Sequence, residues 1–440
     1  MMKKRWSGTI LAVCLSGAML LGGCGNKKAE EAAPPAPGSD VSQNATSAEN
    51  PVTITFVRTG TPEILHGIFD SIIADFEKEN PDIKVDMQDL GWGDAEKSLQ
   101  VWASSQTLPD VMYHLPGTIF DLASKGLVVD LNTYMDDELK NDIYDSLLTA
   151  GQYEGKQYVI PCGATSLLLW YNTEIFEQAG LDPANPPKTF EELVDAAKTI
   201  TEKTGIPGIG MYGKSAGGET SFMYESFYAA ASGKNSWNPE TQQYTYDDAA
   251  NKDAAVSALK VMQDLTEYAQ PSVVEYSRFD TRTLLRDGKV GMVLDVINMA
   301  NQVTDELDNG KVKVAQLPAG ASGKQLSAIN MGGWFIPANS KHPEEAWRFL
   351  RYLMKTENQV KHTAYGSVPI LKSEAATYEG DYWATVIKSV ENSVPEGISP
   401  KTNSLWTVNG EELQLLLMGK QTPEETLEKL NSRHEEIYNK

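Results

Sequence analysis

The 440-residue chain is poor in cysteine, in histidine and in positive charge, and it has only one extended apolar stretch. Each shortage excludes something. Of three cysteines, Cys14 lies in the N-terminal apolar stretch and Cys24 just beyond it, which leaves Cys162 alone in the rest of the sequence. One thiol can form neither an internal disulfide nor a zinc site of several thiolates, so stability must come from the core. Lys and Arg number 38 against 60 Asp and Glu, a net charge of −22. That surplus disfavours nucleic acid, whose phosphates attract cations. Five histidines leave few candidates for a catalytic base, and no cluster has metal-ligand spacing, so neither metal nor other cofactor is expected.

The apolar stretch runs from Ile10 to Leu21, too short to span a bilayer as a helix. It follows the basic start Met1-Met2-Lys3-Lys4-Arg5 and ends in Leu21-Gly22-Gly23-Cys24. This pattern reads as a lipoprotein signal peptide over 1–23, cleaved before Cys24, with diacylglycerol on the Cys24 thiol and palmitate among its acyl groups. Loss of Lys3, Lys4 and Arg5 takes the net charge to −25. Residues 24–50 are mostly Lys, Glu, Ala, Pro, Ser and Asn with almost no large apolar side chain, and read as a disordered tether on the outer face of the cell membrane.

What is present is an alternation of strand and helix patterns in a chain long enough for two or three domains. Val52-Thr53-Ile54-Thr55-Phe56-Val57 alternates apolar and polar residues as a half-buried strand does. Ile68, Ile72, Ile73 and Phe76 fall at helical spacing, Asn80-Pro81 stops that helix, and Ile83 to Met87 gives a second strand. A helix over 95–105, a strand over 108–112 and a short helix over 120–125 continue the series, ahead of Gly126-Leu127-Val128-Val129. The alternation predicts a largely parallel sheet wrapped by helices. A second α/β unit starts with the apolar run 167–171, in which Trp170 reads as core. Helices are predicted over 190–201, with Lys188-Thr189 as cap and Glu191 and Glu192 favouring the dipole, and over 254–268 and 281–286; strands over 209–212 and 290–294.

In order along the chain stand Phe76-Glu77-Lys78-Glu79-Asn80-Pro81, Leu108-Pro109-Asp110-Val111, Gly155-Lys156-Gln157-Tyr158 and Tyr171-Asn172-Thr173. Ala179-Gly180-Leu181, Pro186-Pro187-Lys188-Thr189-Phe190-Glu191-Glu192-Leu193, Asp287-Gly288-Lys289-Val290-Gly291-Met292, Gly332-Gly333-Trp334 and Ala346-Trp347-Arg348-Phe349-Leu350 follow. Together these segments resemble the extracellular solute-binding proteins of family 1, the maltose-binding-like group. The resemblance implies a two-lobed α/β fold of the type II periplasmic-binding-protein kind, with a ligand cleft between lobes joined by hinge crossings. It places the N-terminal lobe at 51–163 with 332–374 and the C-terminal lobe at 164–331 with 375–440, with crossings near Cys162 to Thr165, Asn330 to Gly332 and Pro369 to Ser373. It also implies a monomer that captures a carbohydrate, closes over it, and hands it to the membrane permease of an ABC importer, without catalysis.

Sugars present hydroxyls in the ring plane and C–H faces above and below, so a sugar site needs aromatic platforms and polar groups aimed sideways. Trp406 resembles in position a stacking tryptophan of the maltose-binding type, while Trp92 and Trp334 follow glycines in expected loops. His114 lies just past Pro109-Asp110-Val111, where the family often has a cleft aromatic. Arg58 ends the first strand, where open α/β sheets place ligands. Thr165 falls at a crossing, Asp295 and Asn298 follow the strand 290–294, and Tyr224 shares helical spacing with Phe227 and Tyr228, a core pattern as much as a site pattern. The expected cleft is aromatic and uncharged overall, which favours oligosaccharide.

Two motifs point elsewhere. Gly208 to Ser215 fits the P-loop spacing, but such a loop should follow a buried strand and open a helix, whereas here the apolar strand lies inside the motif. Gly213-Lys214-Ser215-Ala216-Gly217 fits the nucleophile elbow of a secreted α/β hydrolase, with Ser215 as nucleophile and His342, His362 or His434 downstream as base. A glycosidase would need paired carboxylates, and acids are too plentiful for the sequence to single out a pair.

Overall fold

The structure is a computed structural model that describes residues 50–214 and 218–439. The signal segment, Cys24 and the rest of 1–49 therefore lie outside the described residues, as does Ser215.

The predicted opening holds. Strand β1 (Val52–Thr59) leads to α1 (Pro62–Glu79), β2 (Ile83–Leu90), α2 (Trp92–Ser105), β3 (Val111–His114) and α3 (Pro116–Ser124). β1 pairs in parallel with β2 on one side and β3 on the other. Ile54 and Phe56 are fully buried beneath Phe69, Phe76 and Phe349, whose rings meet edge to face. β4 (Ile160–Ser166) then ends the first pass through this lobe.

Only Leu167 separates β4 from β5 (Leu168–Asn172), which belongs to a different sheet. Helix α4 (Phe190–Thr204) starts at Thr189, whose side chain accepts the Glu192 N–H and which is followed by two acids, as the sequence predicts. β6 (Ile209–Gly210), α5 (Gly218–Ser232), α6 (Lys252–Thr266), α7 (Arg278–Arg286), β7 (Met292–Asp295) and β8 (Val312–Gln316) complete the second unit. The second sheet runs β8-β5-β7-β6. β5 is antiparallel to both neighbours, and only the β6–β7 pair is parallel. The largely parallel sheet is expected of the first unit, where it holds for β1, β2 and β3; in this lobe β5 runs antiparallel because a strand entering from the hinge comes from the opposite end to strands returning from local helices. Burial of β5 on both faces explains its unbroken apolar run: Leu168 and Trp170 join one hydrophobic cluster, Leu169 and Tyr171 the other.

The chain returns to the first sheet in β9 (Ser327–Phe335), which pairs antiparallel with β4 and with β3. Helices α8 (Pro343–Leu353) and α9 (Thr356–Thr363) pack on α1, and β10 (Ser393–Pro395) adds a strand beside β9. The last helices, α10 (Thr402–Leu417) and α11 (Pro423–Tyr438), lie against α5 and α6. The protein is thus two-lobed, with the C-terminal ends of β1 and β3 and the start of α1 turned toward the junction.

Candidate ligand-binding site

The C-terminal ends of β1, β2 and β3 bring the N-termini of α1, α2 and α3 to one edge of the first sheet. Beside that edge lies a cavity of about 340 Å3. Arg58, Thr61, Trp92 and Leu115 line it from these strand and helix ends, Thr165 and Asn330 from the paired strands β4 and β9, and His362, Tyr365 and Ser367 from α9 and the segment after it. Asn298, which follows β7, closes it from the second lobe. The wall therefore draws on both lobes.

A larger hollow, about 790 Å3, lies on the outer side of the first lobe around Glu79, Arg348, Arg351 and Lys355. Its cations are already satisfied: Arg348 meets Asp82 at 2.7 Å and Lys355 meets Glu79 at 3.0 Å. It draws nothing from the second lobe, and the smaller cavity is the better candidate.

Of the residues predicted from sequence, Arg58, Trp92, Thr165 and Asn298 meet in this cavity. Trp92 is 51% exposed at the first position of α2 and stands edge-on to Tyr113 and His114, a platform open to a ligand. Arg58 is 9% exposed. Its guanidinium lies 3.5 Å from the centre of the Tyr113 ring and 5.4 Å from that of Trp334. Nη1 donates to the Thr59 carbonyl, and Nε has no partner. The wall thus carries a net charge, contrary to the cleft expected from the sequence to be uncharged overall, because Arg58 lines it and Asp295 does not.

Other expectations are corrected. Trp334 is not in a loop but in β9, 1% exposed among Phe56, Phe69 and Tyr113, so it supports Arg58 from beneath and offers no face to a solute. Tyr224 is fully buried on α5 against Tyr246, in the core of the second lobe. Asp295 is fully buried, and its oxygens accept Arg282 Nε at 2.6 Å and Arg282 Nη2 at 2.7 Å. Burial pushes the Asp295 carboxyl up, against which Arg282 and Arg278 pull it down. His114 is buried behind Trp92 with Nε2 3.8 Å from Glu96, and burial lowers its pKa although Glu96 works the other way. Trp406, near the start of α10, packs on Gly218, outside this wall; its indole nitrogen lies near Glu396 without completing a hydrogen bond.

Sequence reasoning did not single out His362, Tyr365 or Ser367. Burial first, and the Arg58 charge second, push His362 down to about 3, so it stands as a neutral imidazole. Burial likewise raises the Cys162 thiol to about 12. The one available signal was Gly366. Its φ of +99° demands glycine, and a Cβ there would come within 2.8 Å of Asn298 Cβ, so the two lobes touch at this point. Asn301 Nδ2 donates to the Tyr365 carbonyl at 3.3 Å in the same place.

The P-loop spacing is not a phosphate cradle. The Gly213 N–H donates to Val273 O and Tyr276 O, the Lys214 N–H to Tyr276 O at 2.9 Å, and the Met211 N–H to Gln270 Oε1. These donors are spent on the protein's own acceptors, and Gly208 sits so close to Ala197 that a Cβ would meet its carbonyl oxygen at 1.9 Å. The hydrolase reading rests on Ser215, outside the described residues; His342 caps α8, His362 lies on α9, and His434 on α11 bonds Asn409 at 2.6 Å.

Comparison with known proteins agrees with the two-lobed geometry. The model of the bacterial extracellular solute-binding protein family matches residues 64–360. A binding protein of Brucella abortus is 28% identical over 384 residues, covering 84% of this chain and 90% of the relative. The maltooligosaccharide ABC transporter solute-binding lipoprotein of Streptococcus pneumoniae is 25% identical over 422 residues, covering 91% and 89%. In structure, the sugar-binding protein MalE of Xanthomonas citri superposes with a TM-score of 0.78 at 19% identity, over 88% of this chain and 98% of that one. The chain is a member of the bacterial extracellular solute-binding protein family, the substrate-binding components of ABC importers.

Proposed function

We propose that the protein captures a carbohydrate in the cavity between its lobes and delivers it to an ABC permease, without chemical change to the solute. The observation that carries this reading is the wall itself. A half-exposed tryptophan at Trp92 lines the same cavity as hydroxyl and amide side chains at Thr165, Asn298, Asn330 and Ser367, the combination that a sugar ring and its hydroxyls require. The pneumococcal relative, by its name a binder of maltooligosaccharide, supports the same class. Arg58, Trp92, Thr165 and Asn298 are the proposed contacts. Contacts from both lobes couple binding to hinge closure. The lobes divide at 51–163 with 332–374 and 164–331 with 375–440, as the resemblance implies.

The chain acts as a monomer, held on the outer face of the cell membrane by lipid at Cys24, with 24–50 as tether; the lipoprotein name of the pneumococcal relative supports that placement. A ligand that binds only the native state raises the melting temperature by mass action. The test is therefore thermal unfolding against mono- and oligosaccharides, amino acids and nucleotides. A rise with sugars alone supports the reading; a rise with nucleotides, or turnover of an ester, contradicts it. Cys24→Ala should release the protein from membranes, and retention there would contradict the anchor.

A further inference from the structure

We infer that the solute bears a carboxylate, as a uronic acid or a short chain of uronic acids does, and that Arg58 is the residue that reads its charge. This deepens the carbohydrate reading and rests on it.

Arg58 is nine-tenths buried and forms part of the cavity wall. Among the described side chains no carboxylate lies within ion-pair distance of it, and Nη1 donates only to the carbonyl of the neighbouring residue. A buried cation without a counter-charge is costly, and native structures pair nearly all of them. The second lobe shows the ordinary solution: Arg282, 1% exposed, makes two hydrogen bonds to Asp295 and a third to Asn298. Arg58 has the rings of Tyr113 and, farther off, Trp334 beneath it, which support the guanidinium face while Nε stays without a partner.

The surroundings add positive potential. Helices α1, α2 and α3 begin at Thr61, Gly91 and Leu115, none of which makes a side-chain cap hydrogen bond. Thr61, Trp92 and Leu115 all line the cavity, so three helix N-termini lie at its wall, none capped by a side chain, although α1 and α3 begin with a proline and α2 carries Asp94 in its first turn. The counter-charge must therefore come from the solute. Among the described side chains the wall holds no carboxylate and, with His362 neutral, no cation besides Arg58. An amino acid would leave its ammonium without an acid, and a phosphate dianion would lack a second cation. A single guanidinium fork matches the two oxygens of one carboxylate. The hydroxyl and amide side chains around it match a sugar ring.

The test is calorimetric titration of the purified full chain with D-galacturonate, its dimer and D-glucuronate, set against galactose, glucose and galactose 1-phosphate, in the native protein and in Arg58→Gln and Arg58→Lys. The inference expects a uronate to bind at least about tenfold more tightly than its neutral parent, the scale of a charge-assisted hydrogen-bond pair. Arg58→Gln should remove that preference by weakening the uronate at least about tenfold more than its neutral parent, and Arg58→Lys should keep part of it. Neutral sugars bound as tightly as the acids would overturn the inference and leave the carbohydrate reading standing. A phosphate ester bound more tightly than any uronate would overturn the carboxylate assignment, and binding of no sugar at all would overturn both readings. If Arg58→Gln does not fold, the native protein's preference between acid and parent decides alone.

Discussion

The two lobes each bury an arginine at the end of the sheet that faces the junction, and they treat it in opposite ways. Arg282 in the second lobe is locked to Asp295 and Asn298, so its charge is settled within the protein. Arg58 in the first lobe lies on Tyr113 with Nε unpartnered and opens onto the cavity. A paired buried charge fixes structure, whereas an unpaired one at a cavity wall marks where a partner must arrive. The tryptophans repeat the contrast: Trp334 is sealed in the core while Trp92, on the same sheet edge, is half exposed.

This comparison can be broken by substitution. Arg282→Met should be the most damaging, costing about 3–5 kcal/mol in denaturant unfolding because it strands the Asp295 carboxylate in the core. Trp334→Ala should come close behind, at about 3–5 kcal/mol, from the cavity left among Phe56, Phe69 and Tyr113. Arg58→Met should shift stability by less than about 1 kcal/mol, since the cation it removes has no counter-charge to strand. Trp92→Ala should change stability by less than about 0.5 kcal/mol yet weaken sugar binding, because an exposed ring has little packing to lose. If Arg58→Met proved as destabilising as Arg282→Met, the contrast between the two arginines would fail. Smallest in consequence, Cys162 should resist alkylation at pH 8 in the folded protein and react after denaturation, since burial raises its thiol to about 12. Peptide mapping by mass spectrometry reads this out.

Much of the fold was legible because its signals are local. The alternation in β1, the spacing of Ile68, Ile72 and Phe76, and the Thr189 cap each report their own neighbourhood, and each element formed as read. Sheet polarity in the second lobe was not legible, since it depends on how the chain enters through the hinge. The site divided in the same way. Arg58 follows from its place at a strand end, whereas Trp92, by the glycine before it, reads as a loop residue and stands instead at the first position of α2. Trp334 follows a glycine pair that resembles a loop, but those glycines serve strand pairing: a Cβ on Gly332 would meet Tyr113 Oη at 1.8 Å. Asp295 looked like a free contact because its partner Arg282 lies thirteen residues earlier on α7, and no spacing rule joins a helix to the strand it packs on. His362, Tyr365 and Ser367 reach the cavity only through tertiary packing on the first sheet.

The central claim is that a solute is held between the lobes by residues of both. Titration of the native protein with the carbohydrate panel, repeated with Trp92→Ala from the first lobe and Asn298→Ala from the second, tests it most directly. The account predicts saturable binding of at least one carbohydrate, weakened by either substitution while the melting temperature without ligand stays within a few degrees of native. Carbohydrate binding that neither substitution weakens, or no carbohydrate binding by the native protein, would contradict it.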